Sequence, residues 1–214
     1  MSSRAEGAAA YLPARRSLTS LRAAAAGCRG CDLYKHATQT VFGEGRARAR
    51  IMLVGEQPGD REDLAGHPFV GPAGALLHRA METAGIAERD VYVTNAVKHF
   101  KFVERGKRRI HAKPKTIEIR ACKPWLEAEI EAVRPALIVA LGATAAQSLL
   151  GPKFRLLANR GRVMTDALSV PILATVHPSA VLRAPDSRKR HSEMAKFVED
   201  LRVAAEAVHT SVAA

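Results

Sequence analysis

Arg50-Ile51-Met52-Leu53-Val54-Gly55-Glu56-Gln57-Pro58-Gly59-Asp60 begins as an uninterrupted apolar run and breaks at a glycine into polar, turn-forming residues. A short run of this kind, closed by Gly, has the pattern of a strand buried on both faces. The same sign recurs at Val91–Thr94, Ala136–Leu141 and Pro171–Val176. Helical stretches separate these runs: Gly74–Ala84 closed by Gly85, Thr116 to about Val133 closed before Pro135, Ala143–Leu150, and roughly Arg188 to Val208. Strands alternating with helices predict a three-layer α/β/α fold around a four-stranded, mostly parallel sheet. Upstream, Ser17 can cap a short helix to Ala26 that leads into Cys28-Arg29-Gly30-Cys31. Residues 1–16 carry little periodicity and are expected to be a flexible N-terminus, with residues 17–210 forming a single domain.

Composition narrows the function classes. The 214 residues are 47% hydrophobic and 25% charged, which is globular and not disordered. The longest apolar run, Pro135–Ala146, is too short to span a bilayer and is broken by Gly142. The N-terminal stretch lacks the apolar core of a signal peptide, so a cytoplasmic protein without a membrane partner is expected. Three cysteines do not make a disulfide framework and leave metal binding or buried thiols. The net charge of +12 points to a polyanionic partner, most simply nucleic acid. Lys98–Lys115 holds eight Lys or Arg and one acid, Glu104, and so carries most of that excess.

In parallel α/β sheets the ligand site lies beyond the carboxyl ends of the strands. After the first strand, Gly55–Gly74 contains five glycines and three prolines, a rigid loop of close backbone approach. It has neither the P-loop pattern nor the dinucleotide glycine spacing. After the second strand comes Asn95, and after the fourth His177-Pro178-Ser179. A carboxylate (Glu56), an aromatic ring (Phe69), an amide and an imidazole therefore meet at one sheet edge. Cys28-x2-Cys31 with Cys122 suits soft-ligand chemistry. An iron–sulfur cluster and a zinc site of three Cys and one His both remain open, with His99 and His36 as candidate fourth ligands.

Four motifs together carry a family resemblance: Gly55-Glu56-x-Pro58-Gly59, Gly66-x-Pro68-Phe69-Val70-Gly71-x-x-Gly74, Thr94-Asn95 and His177-Pro178-Ser179. In this order, each at a strand end, they resemble the uracil-DNA glycosylase superfamily from about Leu18 to Leu201, and its iron–sulfur (family 4) members most closely. The resemblance implies a [4Fe–4S] cluster on Cys28, Cys31 and Cys122. His99 stands where that family has its remaining cysteine. The segment from His99 to Cys122 is longer than in ordinary family 4 enzymes and contains Lys107-Arg108-Arg109-Ile110-His111. With Gln57, this insertion resembles the UdgX branch, whose members excise uracil and stay covalently attached to the DNA through the histidine of this motif.

The roles implied are chemically apt. Asn95 can donate to uracil O4 and accept from N3–H, the opposite of what cytosine presents. Phe69, otherwise an ordinary core residue, would stack on an extruded base, and Gly55 and Gln57 would complete the uracil site. Glu56, otherwise a loop-ordering carboxylate, would face the sugar as positive charge develops there. His177 would hydrogen-bond uracil O2, and His111 would attack C1′. Lys107, Arg108, Arg109, Ser179 and Arg183 would contact phosphate, with Leu182 wedged into the base stack. The expected partner is uracil-containing DNA, bound by a monomer. Two readings compete: a glycosylase that turns over by water attack, and a noncatalytic uracil-DNA binding module.

Overall fold

A computed structural model of the chain describes residues 7–165 and 169–210. Its sheet is built on β2 (Ile51–Gly55), β3 (Val91–Asn95), β6 (Leu137–Leu141) and β8 (Ile172–Thr175). These are the four expected strands, parallel and in the order β3-β2-β6-β8. Two-residue antiparallel strands, β1 (Glu44–Gly45) on β3 and β7 (Val163–Met164) on β8, extend the sheet to six. Both added strands are too short for a periodic signal.

Side chains alternate cleanly across the sheet. Leu53, Val91, Val139, Leu141 and Leu173 face one layer, formed by α3 (Pro72–Thr83) and α8 (Ser187–Thr210). Met52, Val54, Tyr92, Ile138 and Ala174 face the other, formed by α4 (Thr116–Val133) and α5 (Ala143–Leu150). Covering both faces is why these strands read as continuous apolar runs. On α8, Phe197, Leu201, Ala204 and Val208 form the buried stripe at helical spacing.

The N-terminal expectation falls partly outside the described residues, at 1–6. Residues 7–16 are ordered onto the domain: a single turn at Ala8–Tyr11 packs on α4 with Ala8 buried. α1 (Leu18–Ala25) follows, with Ser17 accepting from the Ser20 amide as its N-cap. Its Leu21 and Ala25 join Trp125 of α4 in a third apolar cluster that also takes in all three cysteines. The basic insertion, which gave no strand signal, is an antiparallel hairpin of β4 (Phe102–Arg105) and β5 (Arg108–His111). The smaller helices α2 (Asp60–Ala65) and α7 (Pro178–Leu182) lie in strand-to-helix connections, and α6 (Leu156–Asn159) lies between α5 and β7.

One charged pair is wholly buried. Lys98 Nζ is bonded to Glu129 of α4, and also donates to Thr94 Oγ1 at 2.6 Å and to the Asn95 carbonyl at 2.8 Å. Glu129 accepts further from the Tyr92 hydroxyl, the Thr94 hydroxyl and the Gly43 amide. Removing one member of such a pair leaves an uncompensated charge in the core. Lys98→Met is expected to lower the unfolding free energy by about 3–5 kcal/mol. Lys98→Met/Glu129→Gln, which keeps an acceptor for Tyr92 and Thr94, should recover part of the loss. Urea denaturation of the two variants checks both values.

Candidate active site

The sheet order places β2 between β3 and β6, so the connections leaving β2 and β6 diverge beyond the carboxyl ends of the strands. A cleft of about 740 Å3 opens there, lined by Glu56, Phe69, Asn95, Thr144, His111 and His177 among others. Every strand of the parallel core thus ends in the cleft.

One side is shaped to receive a flat ring. Phe69 is buried with φ 57°, a left-handed backbone uncommon outside glycine, and it aims the ring into the cleft. The helix start packs so tightly behind it that a Cβ on Gly74 would lie 1.6 Å from the Phe69 carbonyl oxygen. Gly55 is held to hydrogen for a similar reason: a Cβ there would sit 2.3 Å from Asn95 Oδ1 and 2.9 Å from the Phe69 ring. Asn95 is 3% exposed, and its carboxamide has no hydrogen-bond partner among the described residues. The Phe69 and His177 rings lie nearly parallel, at 27° with centroids 6.3 Å apart.

The tautomer of His177 follows from its contacts. Its Nδ1 accepts from the Ser179 amide at 3.2 Å and lies 2.8 Å from Ser179 Oγ. In the neutral ring the proton is therefore on Nε2, which makes that nitrogen a donor. Burial, together with Arg183 and His111 and against the opposing pull of Glu56, lowers its pKa to about 4. The ring is a neutral donor at pH 7.

Glu56 follows β2, and its Oε1 lies 3.3 Å from His111 Nε2. Burial would raise its pKa, but contacts with His111 and Thr144 outweigh it, so the carboxyl is held below its ordinary value. His111 ends β5 with its side chain half exposed. Gln57 mounts the hairpin. Its Nε2 donates to the Lys101 and Ala112 carbonyls at 3.1 Å, and its Oε1 accepts from the Lys101 amide at 3.1 Å. Its carboxamide is thus engaged with backbone on either side of His111. Arg109, expected on phosphate, is instead pinned inward: it pairs with Asp60 and Asp63, both at 2.6 Å, and lies over the Phe100 and Phe102 rings. Burying the Asp63 carboxylate requires that cation, so Arg109 locks the hairpin to α2.

The other expected DNA contacts divide. Lys107, Arg108 and Arg183 are exposed, and Arg183 lines the cleft. Ser179 also lines the cleft, but its hydroxyl is turned to His177. Leu182 is partly buried against the α3/α8 core. Sequence reasoning missed Thr144, the partner of Glu56, although its place just after β6 and Gly142 was a usable signal. It also missed Glu62, which accepts from the Gly71 amide at 2.9 Å and ties the two glycine-rich segments together.

Cys28, Cys31 and Cys122 are buried in one apolar cluster. Trp125 Nε1–H donates to Cys28 Sγ and the Lys98 amide to Cys122 Sγ, both at 3.2 Å. Burial pushes the Cys122 thiol up to about 12 and the Cys31 thiol upward, so without an added cation they are held protonated. Among the described residues, no group of three or more His, Cys, Asp or Glu side chains converges on a point that would hold a single ion. A cuboidal cluster, by contrast, spreads its ligands over separate corners. Buried thiols with N–H donors on sulfur fit such a group. His99 is buried, with Nε2 2.9 Å from Thr40 Oγ1 and a pKa lowered by burial to about 4. In a neutral ring this leaves Nδ1 as the nitrogen able to act as a ligand.

Residues 42–202 match the Uracil DNA glycosylase superfamily. A type-4 uracil-DNA glycosylase of Archaeoglobus fulgidus is 37% identical over 181 residues, covering 81% of this chain and 87% of the relative. One from Thermotoga maritima is 38% identical over 176 residues, covering 81% and 85%. A type-5 uracil-DNA glycosylase of Pyrobaculum aerophilum is 32% identical over 152 residues, 63% of each chain. No helix among the described residues is long and apolar enough to cross a membrane.

The His177 shift carries a stability consequence. The unfolded chain protonates this ring near pH 6.5, whereas the folded chain does so only near 4. Its contribution is complete above about pH 6.5 and is lost as the pH falls toward 4. His177→Gln is expected to flatten the pH dependence of unfolding in that window, by at most about 1.4 kcal/mol per pH unit. Urea unfolding of both proteins across the window measures the difference.

Proposed function

This chain belongs to the uracil DNA glycosylase superfamily, and we propose that it excises uracil from DNA and then captures the sugar covalently on His111. The observation that carries the reading is the single cleft shared by Asn95, Phe69, His177, Glu56 and His111. Uracil enters edge-on to Asn95 and stacks on Phe69. As the C1′–N1 bond breaks, its electron pair moves into the uracil ring, and Nε2–H of His177 donates to O2 where the charge gathers. Glu56, an anion held beside the cleft, stabilises the cationic sugar. One imidazole nitrogen of His111 forms the new bond to C1′, and the proton on the other passes to Glu56 or solvent. Lys107, Arg108 and Arg183 serve the phosphates.

Two observations support capture over simple turnover. Gln57 and Arg109 fix the hairpin from both of its strands, and His111 touches the carboxylate that faces the sugar. An imidazole held in place at high effective concentration competes with water. We read the insertion as that of the UdgX branch, in a monomer acting on cytoplasmic DNA. For the thiol segment, we assign a [4Fe–4S] cluster to Cys28, Cys31, Cys122 and His99. It would tie the N-terminal segment to α4 and take no part in bond breaking.

A uracil oligonucleotide mixed with the protein should release free uracil and give a band that stays shifted on a denaturing gel. His111→Ala should lose the shifted band and still release uracil. An adduct that persists in His111→Ala rules out this nucleophile, and release without any adduct in the wild type leaves turnover by water. Asn95→Ala should slow excision by roughly 10- to 100-fold for each of the two hydrogen bonds lost. Purified protein should contain iron and inorganic sulfide and absorb broadly in the visible, and Cys122→Ala should lose both; stoichiometric zinc without iron would overturn the cluster assignment.

A further inference from the structure

Uracil excision leaves a sugar without a base, and in its ring-opened form C1′ is an aldehyde. A primary amine condenses with an aldehyde to give an imine, which is how lysine captures carbonyl substrates. An imidazole cannot do so, because its ring nitrogens lack the second proton that the departing oxygen must take. Arginine does not, because its guanidinium stays protonated. Among the residues lining the cleft there is one lysine, Lys113, and uracil excision gives it no task.

The hairpin decides where Lys113 points. β5 ends at His111, but the Ala112 amide still donates to the Lys101 carbonyl at 2.9 Å, so the pairing runs one residue further. Along a paired strand, residues two apart share a face, with their Cα atoms about 6–7 Å from each other. Lys113 therefore leaves the chain on the same side as His111, and both line the cleft. Its root is held on either side. The Ala112 carbonyl accepts from Gln57 Nε2 at 3.1 Å, and Pro114 is buried. A four-carbon stem carries the amine from this fixed root.

Nothing in the cleft claims that amine. Of the two carboxylates there, Glu56 is held by His111 and Thr144, and Glu62 accepts from the Gly71 amide at 2.9 Å. Lys113 is exposed and pairs with no carboxylate among the described residues, whereas Lys98 is paired with Glu129 and Lys101 with Glu118. Lys107 lies in the turn between β4 and β5 and does not line the cleft.

We propose that Lys113 condenses with the ring-opened aldehyde of an abasic site, so that the protein captures abasic DNA reversibly as well as excising uracil. This rests on reading the cleft as the seat of the sugar. The nitrogen lone pair forms the bond to C1′, and the C1′ oxygen leaves as water with two of the three ammonium protons. The product is an iminium, which water reverses, and no oxidant or reductant is consumed. Capture on His111 is a different reaction. It needs uracil as the leaving group, and a preformed abasic site has already lost it.

The test uses the full chain and a single-stranded oligonucleotide with a preformed abasic site, in the presence of sodium cyanoborohydride to reduce the iminium to a stable amine. Wild type and His111→Ala should both give a shifted band on a denaturing gel, only with the reductant, and peptide mapping should place it on Lys113. Lys113→Arg, which keeps the cation, should lower the trapped yield by about tenfold or more. Its urea midpoint shows that the variant is folded. A tetrahydrofuran analogue of the site has no aldehyde and should give no band. No band with wild type, a band with the analogue, a band lost in His111→Ala or undiminished in Lys113→Arg, or mapping to another residue would overturn the assignment to Lys113. A wild type that traps abasic DNA but releases no uracil from a uracil oligonucleotide would overturn the excision reading and leave the imine chemistry standing.

Discussion

The buried pair of Lys98 and Glu129 binds the two specialised regions of this molecule to each other. An ion pair in a protein interior is costly to desolvate and persists only when its remaining hydrogen-bonding capacity is met. Here it is met in full. The three donors of the ammonium go to Glu129, Thr94 Oγ1 and the Asn95 carbonyl, and the Thr94 hydroxyl passes its own proton on to Glu129. Only one arrangement of β3 against α4 satisfies this set. It fixes the peptide of Asn95, which lines the cleft. The amide of Lys98 itself bonds Cys122 Sγ, so the thiol segment is anchored by the same few residues.

The cleft is defined as much by missing atoms as by side chains. Gly55 and Gly74 approach Asn95 and Phe69 more closely than any Cβ would allow, and Phe69 takes a left-handed backbone to bring its ring over the gap. The strain is held by the Glu62 bond to Gly71 and by the seat of α3 behind the ring. A pocket preorganised in this way meets a planar base without rearrangement, so binding energy goes into distinguishing one base edge from another.

What was legible in the sequence follows from the range of the interaction concerned. The four parallel strands announced themselves because both faces are buried, and the cleft-lining motifs because a parallel sheet sends all its strand ends to one place. The partners of side chains that reach far along the chain were not legible. Gln57 finds its carbonyls 44 and 55 residues away, and Arg109 finds its carboxylates 49 and 46 residues away. Both looked like free binding groups because nothing nearby claims them. The packing of Leu182 was hidden for a related reason: in a five-residue helix, periodicity is too brief to show which side faces the core. The hairpin gave no signal because its strands are four residues each and mostly exposed, so no buried face sets a period.

The same contacts bear on the capture reading we propose. A loop long enough to reach the sugar is also long enough to let water in, and a mobile histidine would merely compete with that water. Here the hairpin root is closed by Gln57, its side is locked by Arg109 between Asp60 and Asp63, and Phe100 packs against the His111 ring. The polar groups that looked like substrate contacts are spent on stiffness. Effective concentration rises as the freedom of an attacking group falls, so on the capture reading we propose these groups serve through the scaffold and not through contact with DNA.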